Sequence, residues 1–341
     1  MSMARMDKWI PGVSPDYRTR DVAGRTLRFR LAAVQHYLPL AAKKPDEDIE
    51  YVHELRVATR RTIAALRLYR DMLPRRRADR METRLKQIRR AAGDARDYDV
   101  IAQRLTDGHS DVETQRFLEK VRSRRRKAQR SIQAVYRRLK HVDRFDRWVK
   151  KLLRDVRPRG KPKAEPKAPR FGEWARTQLR RIVNRFFMVA ATDDSDASAL
   201  HRFRIRAKEL RYEMELLAGA FPPDFVDKLY PVVETLQQQL GEINDHATAQ
   251  PRLRQSIDTA DDPSEADHLR TLLEDEQARL NRSRRTFLQW WTRVSRTAAH
   301  FNESLSIRAA LSPRLVDSQG HLIPRRDRSG RANLLSSFFF I

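Results

Sequence analysis

Residues 51–73 read YVHELRVATRRTIAALRLYRDML, from Tyr51 to Leu73. Apolar residues recur here at spacings of three and four, and neither Gly nor Pro interrupts them, so the stretch is read as an amphipathic helix. At ~100° per residue from His53, Arg56, Arg60 and Arg67 gather on one face, while Leu55, Thr62, Leu66 and Leu73 gather on an adjacent one. The segment has a counterpart 148 positions later (201 − 53), where Leu200-His201-Arg202-Phe203-Arg204-Ile205 superposes on Val52-His53-Glu54-Leu55-Arg56-Val57. The register continues without a gap: Arg60 falls on Lys208, Leu66 on Met214, Pro74 on Pro222, Gly93 on Gly241 and Asp97 on Asp245. An internal duplication of a helical unit accounts for this, and helices joined by short connections pack as antiparallel bundles.

The rest of the chain agrees. Arg25–Leu40, Arg77–Gly93, Thr114–Leu139 and Asp267–Phe301 show the same periodicity in Arg, Ala, Leu, Gln and Glu. Ten glycines in 341 residues, with no alternating Val/Ile/Thr runs bounded by hairpin residues, leave a sheet without support, so the expected fold class is all-α. Leu73-Pro74, Phe221-Pro222-Pro223, Gly93 and Gly241 are the expected helix ends. Between Arg154 and Phe171, Pro158, Pro162, Pro166 and Pro169 alternate with Lys and Arg, the composition of an extended connector. The expected organisation is an extension over 1–18, a first helical repeat over 19–153, a linker over 154–170, a second repeat over 171–305 and a flexible tail over 306–341.

Lys and Arg number 71 against 45 Asp and Glu, a formal charge of +26. Like charge of that size opposes compaction, so a polyanionic partner is expected. The absence of cysteine excludes disulfides, thiolate metal sites and cysteine nucleophiles, and makes a cytoplasmic setting the default. Residues 1–17 resemble neither a secretory signal nor an anchor, and the apolar end Leu334–Ile341 is far short of the ~20 residues a membrane helix needs.

Repeating the helical projection from His201 places Arg204, Lys208 and Arg211 on one face. Two helices thus present matching cationic stripes, each led by a histidine and carrying cations one turn apart, which suits phosphate oxygens. A single basic stripe is ordinarily a solvated face. Its recurrence at one offset points to function instead. A third basic element, Lys120–His141, includes Arg126, Arg130 and Arg137 with no acidic residue inside it, and its counterpart, residues 279–296, includes Arg285. Trp290 and Trp291 in that counterpart are read as core. The cluster Asp94-Ala95-Arg96-Asp97-Tyr98-Asp99 and its partner Glu242-Ile243-Asn244-Asp245-His246 are read as helix-capping groups that orient nearby arginines rather than as a divalent-metal site. Phosphate-binding loops, dinucleotide fingerprints, nucleophile elbows and zinc-protease motifs are absent.

The composite His53-x-x-Arg56-Val57-x-x-Arg60-Arg61 with Ala92-Gly93-Asp94-Ala95-Arg96-Asp97-Tyr98-Asp99, together with His201-x-x-Arg204-Ile205-x-x-Lys208-Glu209-Leu210-Arg211-Tyr212 and Leu240-Gly241-Glu242-Ile243-Asn244-Asp245, resembles the CHAD family, the conserved histidine α-helical domain. The resemblance covers roughly Thr19 to Leu305. It implies two four-helix bundles related by a pseudo-two-fold axis, a central basic groove that binds inorganic polyphosphate, and association with polyphosphate granules. Matched to the family's motifs are His53, Arg56 and Arg60 in the first repeat, and His201, Arg204, Lys208 and Arg211 in the second. Ile63 stands where Arg211 stands in the other half, and Arg61 or Arg67 is expected to supply that cation. Arg96, Arg126, Arg130, Arg137 and Arg285 complete the expected polyphosphate-binding set. The expectation is a stand-alone, non-enzymatic binding module without cofactor or metal, with the histidines gaining charge near phosphate. The alternatives are general binding of DNA or RNA backbones and Mg²⁺-dependent hydrolysis by Asp94, Asp97 and Asp99.

Overall fold

The computed structural model describes residues 7–45, 47–108, 112–156, 169–187, 197–260 and 262–304. These are helical, and the one extended pairing among them is an isolated bridge between Arg18 and Arg170. The first half carries α1 (Thr19–Lys43), α2 (Glu50–Leu68), α3 (Arg75–Ala91), α4 (Gly93–Gly108), α5 (Val112–Lys140) and α6 (Arg144–Val156). The second carries α7 (Phe171–Phe187), α8 (Ala197–Leu217), α9 (Tyr230–Asp258) and α10 (Pro263–Ser304). Most of the expected linker and the whole tail after Ser304 lie outside the described residues.

Each stripe-bearing helix is fixed by its apolar side. On α2, Val52, Leu55, Ala58, Thr62, Ala65 and Leu66 are buried at three- and four-residue spacing. On α8 the same spacing buries Leu200, Phe203, Ala207, Leu210, Met214 and Leu217. Both helices end in a 3₁₀ turn before proline, Arg70–Met72 before Pro74 and Ala218–Ala220 before Pro222, at the 148-residue offset. Two cores result, one built from α1 to α6 and one from α7 to α10. They interlock, because Leu216 of α8 lies in the first and Val22 of α1 in the second. Trp291 of α10 packs edge-on against Phe203, ring centroids 5.2 Å apart. A smaller apolar cluster joins Phe117 and Val121 of α5 to Leu253 of α9 and Leu269 of α10.

One expected boundary is corrected. Gly93 does separate α3 from α4, but Gly241 ends nothing: α9 runs through it to Asp258. Glu242 to His246 therefore lie mid-helix and cap no terminus. A Cβ at Gly93 would meet Arg56 Nη1 at 3.4 Å, whereas one at Gly241 would meet nothing within 4 Å. A glycine in helical conformation with open space beside it costs about 1 kcal/mol relative to alanine, too little to stop a helix whose apolar face is buried on both sides of it.

Candidate anion-binding groove

Helices α2 and α8 pack against one another, and their basic faces meet. Arg60 of α2 is the meeting point, since its charge acts on Arg56 of α2, Arg89 of α3, and Arg204 and Lys208 of α8. Five cations thus share one half-buried cluster. The nearby carboxylates are Asp97, which faces Arg56, and Asp245, which faces Arg204 and Lys208. Asp97 is itself bound by Arg252 of α9 at 2.7 Å.

The electrostatic cost is visible in the protonation equilibria. Burial, then repulsion from Arg60, lowers Arg56 to about 10. Burial likewise lowers Arg89 and Arg204, with Arg60 acting in the same direction. Lys208 is affected most, lowered to about 7 by burial first and then by Arg60 and Arg204. Arg204 Nε is buried without an acceptor among the described residues. Arg56 Nη1 donates to the carbonyl of Arg89 at 3.2 Å, at the end of α3, where the helix dipole favours a cation. Folding therefore assembles desolvated positive charge with too little negative charge to balance it, and an anion with several oxygens relieves that imbalance.

The other expected residues divide. Arg96 reaches Glu50 at 3.5 Å and adds its charge to the field on Arg56, so it borders the cluster. Arg61 is taken by Glu215 of α8, its Nε donating to Oε2 at 2.7 Å and its Nη2 to Oε1 at 3.2 Å. Arg211 lies 3.9 Å from Glu215 and 3.6 Å from Glu234. Arg67 is exposed and paired with Glu82 at 2.9 Å and Glu209 at 3.7 Å. Arg126, Arg130 and Arg137 are exposed along one face of α5, and Arg285 is exposed on α10. His201 is exposed; His53 is half-buried beside Glu50 and Glu54, with the ligand-capable atoms of the three within 4.8 Å of one another. Among the described residues this is the one grouping with metal-ligand geometry, and Asp94, Asp97 and Asp99 do not form another. Asp99 is buried and accepts a bond from Arg125 at 2.9 Å.

Arg89 was not foreseen. Its position in the second half is Gln237, so a comparison of the two repeats carries no trace of it. Only its place one turn before Gly93, at the α3 end that Arg56 caps, could have drawn attention to it.

A family model for the CHAD domain matches residues 25–254. The chain belongs to the CHAD domain family. That family is linked to polyphosphate binding. Two solved structures are similar over most of the chain. The CHAD domain from the plant Ricinus communis is 20% identical, with a TM-score of 0.62 over 91% of this chain and 97% of that one. PptA from Streptomyces chartreusis is 18% identical, with a TM-score of 0.57 over 81% of this chain and 99% of that one. At these identities the likeness is one of fold: this CHAD chain shares their all-helical architecture. No curated protein matches it. Among the described residues no helix is long and apolar enough to cross a membrane.

Proposed function

We propose that this CHAD protein binds inorganic polyphosphate, without catalysis, in the groove where α2, α3 and α8 bring Arg56, Arg60, Arg89, Arg204 and Lys208 together, and that it associates with polyphosphate granules. The two helical halves are read as duplicated bundles facing each other across that groove. The observation that carries the reading is the convergence on Arg60 of two stripes that stand at one sequence offset, since solvated basic faces disperse rather than meet. Guanidinium groups bind phosphate oxygens in bidentate fashion, and a linear polyanion satisfies several of them at once. Nucleic acid is the weaker candidate, because binding single strands draws on exposed aromatic platforms. Among the described residues the exposed large aromatic is Tyr17, far from the cluster in sequence, while Trp291 and Phe203 are packed inside. Hydrolysis is disfavoured because Asp97 and Asp99 are each held by an arginine.

The test is a titration with long-chain polyphosphate at near-physiological salt, repeated with excess duplex DNA and single-stranded RNA. Binding that nucleic acid fails to displace, and that weakens tenfold or more in Arg56→Ala/Arg204→Ala, is expected from the loss of two charge-assisted contacts of about 1.5–3 kcal/mol each. Equal competition by DNA, or indifference to the double variant, overturns the proposal, and phosphate release under excess Mg²⁺ overturns its non-catalytic part.

A further inference from the structure

Among the cations of the groove Lys208 is chemically distinct, because a guanidinium is a poor nucleophile whereas an amine attacks acyl carbon as soon as it loses its proton. Its surroundings favour that loss. Arg60 faces it from α2, Arg204 and Arg211 from its own helix, and Asp245 from α9, so three cations and one carboxylate surround a largely desolvated amine. The amine titrates near 7, against ~10.4 for a solvated lysine. At neutral pH a large fraction is therefore free base, compared with roughly one in a few thousand for an ordinary lysine. Lower basicity reduces intrinsic nucleophilicity, but by less than the gain in free base, by analogy with thiols, whose nucleophilicity follows pKa with a slope of about 0.4–0.5. Lys208 remains half-buried rather than sealed, so solutes reach it.

The same cluster selects the reagent. A small acyl donor whose leaving group is phosphate would be drawn to Arg60 and Arg204 by its phosphoryl oxygens and would meet an amine that is free base in the empty cluster, so attack competes with the return of the proton that resident phosphate favours. We propose that Lys208 is a site of Nε-acylation by acyl phosphates, and that this modification weakens the groove for polyphosphate. The nitrogen lone pair forms the C–N bond at the acyl carbon, the C–O bond to the phosphoryl group breaks, and inorganic phosphate leaves with that electron pair. The proton released from nitrogen passes to Asp245 or to the departing phosphate and then to water. The product amide cannot take up the proton that bound phosphate returns to the amine, so the occupied groove loses one charge and gains bulk at its centre. The regulatory half of this inference rests on the groove's being a polyphosphate site; the reactivity of Lys208 does not.

The experiment incubates the full-length protein with acetyl phosphate at pH 7.5 and follows acetylation of each lysine by peptide mass spectrometry. Lys127 and Lys140, both exposed on α5, are the internal references. Lys208 is expected to react at least ~10-fold faster than either, and to lose part of that advantage in Arg60→Gln, which removes the largest single repulsion on the amine and an anchor for the phosphoryl group. Reaction of Lys208 no faster than the references overturns the proposal. Polyphosphate binding is measured separately on unmodified, acetylated and Lys208→Gln protein. Binding by the unmodified form with no advantage at Lys208 sinks the modification alone. Fast acetylation of a protein that never bound polyphosphate sinks the proposed function and the regulatory half, and leaves the reactive amine standing. Acetylated protein that binds polyphosphate as tightly as unmodified protein sinks the regulatory half alone.

Discussion

Glu215 has no counterpart in the first half, where its position is Arg67, and it joins the two halves. Its side chain is fully buried and accepts bonds from Arg61 and from the Tyr230 hydroxyl at 2.9 Å, while Arg30 of α1 lies 3.9 Å away with 2% exposure. Burial and the adjacent carboxylate push the Tyr230 phenol upward, so it stays a donor throughout the physiological range. Removing one partner of a buried ion pair strands the other. Glu215→Gln should therefore cost about 3–5 kcal/mol, a fall in Tm of roughly 4–7 °C. Thermal unfolding followed by circular dichroism checks this, and an unchanged Tm would mean that water reaches the pair. Lys208 gives a pH prediction at the same scale. Free in the groove it loses its proton as pH rises through about 7, and bound phosphate restores that proton, so polyphosphate affinity should fall between roughly pH 6 and 9. The unfolded chain keeps the proton to ~10.4, so in that window the unfolded state binds more protons and the stability of the unliganded protein rises with pH; below pH 7 the cost of the buried charge is complete. Lys208→Arg should flatten the affinity profile, whereas His53→Gln/His201→Gln, the pair expected from the sequence to govern it, should not. Calorimetry in buffers of different ionisation enthalpy measures the proton uptake directly, and the opposite ranking of the two variants would return the role to the histidines.

Helices were legible because their apolar spacing is local information: each of the five stretches singled out by periodicity lies within a helix or overlaps one except at its ends. What the sequence hid depends on neighbours far along the chain. Gly93 and Gly241 look equivalent, but one sits against the Arg56 guanidinium and the other against open space, and only one marks a helix end. Arg61 looks like a groove cation by motif, and its fate is set by Glu215, which lies 154 positions away. The arginines of Lys120–His141 carry the opposite lesson, since composition alone cannot say which way a basic face points. Arg126, Arg130 and Arg137 face solvent and make no ion pair among the described residues. A triple substitution to Gln should leave Tm unchanged and lower the slope of log affinity against log salt by less than ~1, because peripheral charges attract a polyanion without gripping it. Arg56→Ala/Arg204→Ala should lower that slope by ~1.4, at ~0.7 per lost phosphate contact on a single strand. Equal slope changes from the two variants would show that the polymer also runs along α5.

At the scale of the molecule, a chain of net charge +26 must hold two halves face to face across a cluster of like charges. Ion pairs spanning the halves, Arg252 with Asp97 at 2.7 Å and Lys120 with Glu265 at 2.7 Å, are partly exposed and contribute modestly. The segment 7–17 supplies a further tie. Phe171 N–H donates to the Tyr17 carbonyl and Gly172 N–H to the Pro15 carbonyl, each at 2.9 Å, which fixes the start of α7. Further out, Arg30 donates to the carbonyls of Asp7 and Lys8, and Trp9 packs edge-on against Tyr230 with ring centroids 4.7 Å apart. Ile10 contacts the first core while Trp9 and Val13 contact the second, so one strand of chain staples both. The staple fits because Gly219 lacks a side chain: a Cβ there would lie 2.9 Å from Val13 Cγ1 and 3.2 Å from its carbonyl oxygen. Backbone as well as side chain blocks relief, so Gly219→Val must lift the segment away, freeing Trp9 and withdrawing the acceptors that satisfy Arg30. Overpacking of this kind costs typically 1–3 kcal/mol, so a Tm lower by roughly 2–4 °C is expected, together with faster amide exchange over residues 7–17. Polyphosphate affinity of the folded fraction should change little, since the spacing of α2 and α8 is held by Glu215. If Gly219→Val melts at the wild-type temperature with the segment still protected, the two halves are joined by their interlocked cores alone.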